Sequence, residues 1–152
     1  MALRGYSLTH ATQDTVENVN RIISNASHPS LVPESWFHKI TRKDGKPYVV
    51  AIIVLADIAY WYRGFETKDD NGDSHIRKRF KADKVQRSYQ AFVEKYGFTK
   101  RQVRSACHYL RDLGIIDLEL RSVTYNGGHR ANNVLYIGID PDRLKEITHA
   151  FT

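Results

Sequence analysis

Residues 92–116 read FVEKYGFTKRQVRSACHYLRDLGII, and this stretch decides the fold. Val85, Phe92, Val93 and Tyr96 fall on one face of a helix predicted over Lys84 to Tyr96, which Gly97 ends as a C-cap glycine would. Thr99 then opens a second helix: its hydroxyl can accept a bond at the N-cap while Gln102, three residues on, reaches back, the reciprocal pair of a capping box. The product is helix, tight turn, helix. Steeply crossed helices need apolar groups at set offsets around the turn glycine, and Phe92, Tyr96, Phe98, Val103 and Ala106 supply them. Val93 stands where a smaller alanine is usual, which predicts a slightly wider crossing.

The second helix divides cleanly. Val103, Ala106, Cys107, Leu110 and Leu113 recur at three- and four-residue steps and face inward. Lys100, Arg101, Arg104, Ser105, His108 and Arg111 make the opposite face. These residue types suit the major groove of duplex DNA, where Arg can bond bidentately to guanine and a helix N-terminus favours phosphate. A merely solvated basic face is the alternative. Cys107, on the inward stripe, is core packing, and His108 is a polar contact rather than a metal ligand.

After Leu113-Gly114 the chain alternates, with Ile116, Leu118 and Leu120 against Asp117, Glu119 and Arg121, and it returns as Val134 to Ile139. Asn126-Gly127-Gly128-His129-Arg130 joins the two strands. A hairpin with a glycine-rich, basic tip directly after a basic helix reads as a wing, with Arg130 placed for a minor groove or a phosphate; a plain surface hairpin is the alternative. Asp140-Pro141 caps a last helix over Pro141 to Ala150.

Upstream, apolar residues occupy nearly every position from Tyr48 to Tyr62, which predicts a central core helix. Asp57 within it reads as structural, paired with a base or edging toward solvent. Asn71-Gly72 suits a tight hairpin turn. In a following strand, Ser74 to Ala82, Ile76 and Phe80 face the core while His75, Arg77, Arg79 and Lys81 face outward, free for solvent or phosphate. Asp14 to Ile23 carries Val16, Val19, Ile22 and Ile23 at helical spacing, with Asp14 and Glu17 arranged as a capping box. Ser24 to Pro33 is a connector. The chain therefore divides into residues 1–34, an amphipathic helix and connector, and 35–152, the main domain.

Charge narrows the partner. The net charge is +6, and residues 75–130 hold thirteen Lys and Arg against five Asp and Glu. The basic character belongs to one segment, which points to a polyanionic partner. The single cysteine excludes an intramolecular disulfide and suits a reducing compartment. Met1 to His10 lacks the apolar core of a signal peptide, and Tyr48 to Tyr62 falls short of the roughly 20 residues that cross a bilayer; a cytoplasmic protein without membrane attachment is expected. Seven scattered His, no metal-ligand spacing, no phosphate-cradling glycine loop and no nucleophile motif argue against an enzyme, a bound metal or a cofactor.

The run from Ala51 to Trp61, the intervening hairpin, Phe92 to Ile116, Leu135 to Ile139 and Leu144 together resemble the winged-helix module of phage, plasmid and conjugative-element replication proteins. The likeness covers roughly Trp36 to Ile147. It implies DNA binding, commonly within a replication initiator or helicase-loading protein. The expectation is an α+β winged helix-turn-helix with an N-terminal and a C-terminal helix. It would bind double-stranded DNA through Lys100, Arg101, Arg104, Ser105, His108 and Arg111. Arg121, His129 and Arg130 would act on the wing, with Arg77, Arg79 and Lys81 beside them. Replication initiation and transcriptional regulation use the same chemistry. A docking subunit of a larger nucleoprotein complex is the rival reading. The N-terminal helix packs either on its own domain or on a second copy, making a homodimer.

Overall fold

The computed structural model describes residues 12–26 and 30–149. The expectations for Met1 to His10, for residues 27–29 of the connector and for Ala150 at the end of the last helix lie outside these residues. The architecture is mixed α and β, with six helices and two small antiparallel sheets among the described residues. None of the helices is long and apolar enough to cross a membrane.

Helix α1 (Gln13–Ser24) is capped by Thr12, whose side chain accepts from the Thr15 backbone, so the start lies two residues before the expected Asp14. Asp14 sits in the first turn instead, where a negative charge faces the positive helix end. No side chain of α1 is buried. The main body begins at Ser35, which is buried and donates its hydroxyl to the Thr148 carbonyl at 2.8 Å. Beside it, in the single-turn α2 (Trp36–Lys39), the Trp36 indole donates to the Thr148 hydroxyl at 2.9 Å. These two bonds tie residues 35 and 36 to the end of the chain.

Helix α3 (Val49–Tyr62) is the central helix the apolar run predicts. Ala51, Ile52, Val54, Leu55, Ile58 and Tyr60 are all buried on it. A hairpin follows, β1 (Phe65–Lys68) with β2 (Ser74–Arg77), turned at Gly72 with φ 82°. Asp69 organises that turn by accepting the Asn71 and Asp73 backbone N–H groups at 2.9 Å each. Here the structure departs from the alternating pattern. The strand stops at Arg77, and Ile76 is 76% exposed because this two-stranded hairpin has no layer over it. Phe80 does reach the body, where its ring meets Tyr62 edge-on at 4.9 Å.

The helix predicted from Lys84 also begins later. Val85–Gln86 form a short strand, β3, paired with the last strand of the fold, and Val85 is buried with its N–H donated to the Tyr62 hydroxyl. Ser88 then caps α4 (Tyr89–Tyr96), accepting the Ala91 N–H at 3.1 Å. Gly97, at φ 77°, closes α4 in the left-handed conformation that glycine adopts without strain. Thr99 and Gln102 form the expected capping box of α5 (Lys100–Asp112). Strands β4 (Ile116–Thr124) and β5 (Arg130–Ile139) make a long hairpin, and the three-stranded sheet has the order β3-β5-β4. Helix α6 (Pro141–Thr148) starts at Asp140, which accepts two backbone N–H groups. Arg143 of α6 bonds the Leu113 carbonyl and thereby closes the C-terminal end of α5.

Asp57 is fully buried on α3 and answers the question its sequence position raised. Arg87 grips it with Nε and Nη2 at 2.9 Å each, the Lys95 ammonium lies at 2.9 Å, and the Tyr96 hydroxyl donates at 2.7 Å. Burial pushes the carboxyl pKa upward, but the bonds from Arg87, Lys95 and Tyr96 outweigh it and hold the pKa below its ordinary value. A group depressed in this way stabilises the fold above its unfolded pKa, about 3.9, and loses that contribution as pH falls through the lower folded value. Asp57→Ala should therefore cost about 3–5 kcal/mol at neutral pH, since it leaves cations without their counter-charge. In urea titrations the gap to the parent should hold steady above about pH 5 and shrink below about pH 4. A variant as stable as the parent at pH 7 would refute the clamp.

Candidate nucleic-acid interface

Helix α5 is held by its apolar stripe: Val103, Ala106, Cys107 and Leu110 have no exposed surface. Burial alone pushes the Cys107 thiol up to about 12, so it stays a protonated packing group. With this stripe inward, Lys100, Arg101, Arg104, Ser105 and Arg111 are exposed and His108 is half-buried. At about 100° per residue, Lys100, Arg104, His108 and Arg111 form one row and Arg101 and Ser105 the next.

The first row borders a groove of about 720 Å³ between α5 and the sheet. Leu118, Leu120 and Leu135 supply apolar surface there, and Ser88 and Gln90 at the start of α4 also line it. Leu118 pairs with Ile137 and Leu120 with Leu135, so these even-numbered residues of β4 define the sheet face turned toward α5. Among the described residues Lys100, Arg101, Arg104 and Arg130 enter no ion pair. Arg111 meets only its exposed neighbour Asp112, at 3.2 Å.

Arg121 belongs elsewhere. It is odd-numbered on β4 and lies on the other face, where Asp83 takes its guanidinium at 2.7 and 3.1 Å, Glu119 adds a further contact and the Tyr136 ring lies 4.4 Å away. The Arg121 bond holds the Asp83 carboxyl down at about 2. The alternating pattern located Arg121 on β4 but could not show that Asp83, thirty-eight residues earlier, would pair with it. The basic residues after the first hairpin also stand apart from α5. Arg79 braces the end of α3, donating to the Arg63 carbonyl at 2.8 Å and stacking 4.4 Å from the Tyr60 ring. Arg77 reaches Thr67 at 3.3 Å, and Lys81 lines a recess with Trp61 and Tyr136.

The tip of the β4–β5 hairpin is set by one irregularity that the sequence reading missed. Register in the β4–β5 hairpin shifts between Arg121 and Val123, so two β5 residues, Asn132 and Asn133, stand opposite Ser122. Asn133 adopts φ 58°, the only positive φ of a non-glycine among the described residues. Continued without this bulge, the alternation would put Arg130 on the face of Arg121. With it, Arg130 pairs with Thr124 and comes to the face of Leu118 and Leu120. His129 and Arg130 are exposed at the tip, where Gly127 and Gly128 take φ 88° and 83°. Asn-Asn was the available signal, since Asn tolerates the left-handed region better than other residues with a side chain.

No protein-family model, no curated protein and no solved structure matches this chain. Among the described residues there is also no group of three or more His, Cys, Asp or Glu that could hold a metal ion.

The bulge gives a direct test of the hairpin register. Asn133→Val forces a β-branched residue into the left-handed region and should destabilise the protein by about 1–2 kcal/mol in urea, with loss of the Thr124–Arg130 cross-strand nuclear Overhauser contacts. Asn133→Gly should keep both stability and contacts. Equal behaviour of the two variants would mean that the bulge does not set the register.

Proposed function

We propose that this chain is a winged helix-turn-helix protein that binds double-stranded DNA in the cytoplasm, with α5 as the recognition helix and the β4–β5 hairpin as the wing. The observation that carries the reading is the set of cations on the outward side of α5 that are unpaired among the described residues, Lys100, Arg101 and Arg104, with Arg130 on the sheet face turned toward α5. The order of elements supports it: α3, β3, α4, α5, β4 and β5, with β3 on the far side of β5 from β4, is the arrangement a winged helix requires. Arg101, Arg104 and Ser105 lie near the N-terminal end of α5, the part of a recognition helix that meets base edges. Lys100, His108, Arg111, His129 and Arg130 flank them as backbone contacts. Arg121 is excluded from this set by its own carboxylates. The resemblance to replication modules of mobile elements leaves two roles for this surface, replication initiation and transcriptional regulation, which use the same chemistry.

A second copy completes the assembly in this reading. Helix α1 leaves Val16, Val19, Ile22 and Ile23 between 52% and 65% exposed, and an isolated helix of 12 residues is marginal in water. Pairing α1 with α1 of another copy would cover that stripe and present two recognition helices to a two-fold DNA site.

Two experiments follow. With a site selected from a random duplex library, Arg104→Ala should lose about 1–3 kcal/mol on the selected site and much less on random DNA. Arg111→Ala should weaken both and lower the salt slope by about one, while Arg121→Ala should change neither; absence of binding by the parent to any duplex at low salt would defeat the reading. Sedimentation should give a dimer that Val19→Asp with Ile22→Asp converts to a folded monomer. A monomeric parent would reject the α1 pairing and leave DNA binding standing.

A further inference from the structure

The row of cations on α5 has the wing on one side only, and a different element occupies the other. Between α2 and α3 the chain makes a tight hydrogen-bonded turn. Thr41 bridges Pro47, the Arg42 N–H donates to the Lys46 carbonyl at 2.8 Å, Gly45 donates back to Arg42 at 2.9 Å, and Gly45 takes φ 84°. Asp44, itself exposed, accepts the Lys46 N–H at 2.9 Å and so braces the loop from within. The turn is fastened to α5 itself, because the Tyr109 hydroxyl accepts the Thr41 N–H at 3.0 Å and donates to the Thr41 carbonyl at 2.8 Å. Tyr48 packs on Tyr109 with ring centres 4.9 Å apart, and the Arg42 guanidinium lies 4.5 Å over Tyr48. Residues 42–47 are all exposed, and among the described residues Arg42, Lys43 and Lys46 enter no ion pair.

Position gives this loop its meaning. Around α5, Tyr109 lies about 140° from Arg104, with Arg101 and Ser105 between them. The wing therefore borders the outward face along the Arg104 row, and the turn borders it along the Tyr109 row. A helix in the major groove lies between two phosphodiester strands. We propose that the turn 41–47 is a second backbone clamp, in which Arg42, Lys43 and Lys46 grip phosphates of the strand opposite the one met by the wing. The inference rests on the DNA-binding reading. Its chemistry is that of a phosphate contact: the Arg42 guanidinium is placed over the Tyr48 ring, and the two lysines are exposed point charges on a hydrogen-bonded loop.

The test uses the double variant Lys43→Ala, Lys46→Ala, because neither side chain makes a bond that the fold needs, whereas Arg42 is stacked on Tyr48. A control of equal charge change, Lys68→Ala with Lys145→Ala, removes two exposed lysines on β1 and α6, outside α5, the β4–β5 hairpin and the turn 41–47. The clamp variant should bind selected and random duplexes more weakly, with the salt slope reduced by about two, while the control keeps the parental slope. Ethylation interference should lose phosphates on one strand, and Arg130→Ala should lose phosphates on the other. An unchanged slope and interference pattern in a parent that binds DNA, or an equal drop in the control, overturns the clamp alone. A parent that binds no duplex overturns the DNA reading, and the clamp falls with it.

Discussion

The carboxylate of Asp57 is the point on which the geometry of the candidate site depends. It is fully buried on α3, yet its partners come from both ends of α4: Arg87 just before the helix, and Lys95 and Tyr96 in its last turn. One charge thus fixes the direction of α4, and Gly97 hands that direction to α5. Arg87 also spans the core, with its guanidinium 5.0 Å from the Phe92 ring and its backbone N–H donated to the Leu135 carbonyl. Apolar packing alone would accept several crossing angles at similar energy. A buried carboxylate tolerates only the arrangement that supplies all its donors, since a missing one leaves charge desolvated and unpaired.

The distribution of acidic residues matters as much as that of the basic ones. On the sheet face turned from α5, Lys84 meets Asp117 at 2.7 Å and Glu119 at 3.3 Å, and Arg121 meets Asp83 and Glu119. Exposed pairs of this kind add little stability. Their consequence is electrostatic: the cations of that face are neutralised locally, while Lys100, Arg101 and Arg104 of α5, Arg130 at the hairpin tip and the cations of the turn 41–47 enter no ion pair among the described residues. Cations without an ion pair are thus gathered on α5, the hairpin tip and the turn 41–47, a distribution that would steer the proposed polyanionic partner to one orientation.

The legibility of each part followed the distance over which its causes act. The α4–α5 junction was readable because Gly97, Thr99 and Gln102 act within a few residues of one another, and the inward stripe of α5 because its period is set by the helix itself. The same locality revealed the cap at Asp140, whereas the cap at Ser88 was missed because the stretch from Lys84 onward was read as helix. That error has a long-range cause: Val85 is extended because β5, some fifty residues later, offers it a strand to pair with and Tyr62 offers its hydroxyl.

By itself, then, the sequence determined the apolar core helix, the helix pair with its turn, the hairpin with its glycine tip and the basic character of one segment. Each of these is encoded by periodicity, capping or composition over short windows. Only the tertiary structure decided which cations lie together. It set Arg121 against Asp83, left Ile76 uncovered, turned Arg130 to the α5 side through the bulge at Asn133, and brought the turn 41–47 beside α5 through Tyr109. The physical reason is that the face a side chain presents depends on strand register and on partners dozens of residues away, and neither is set by the residues next to it.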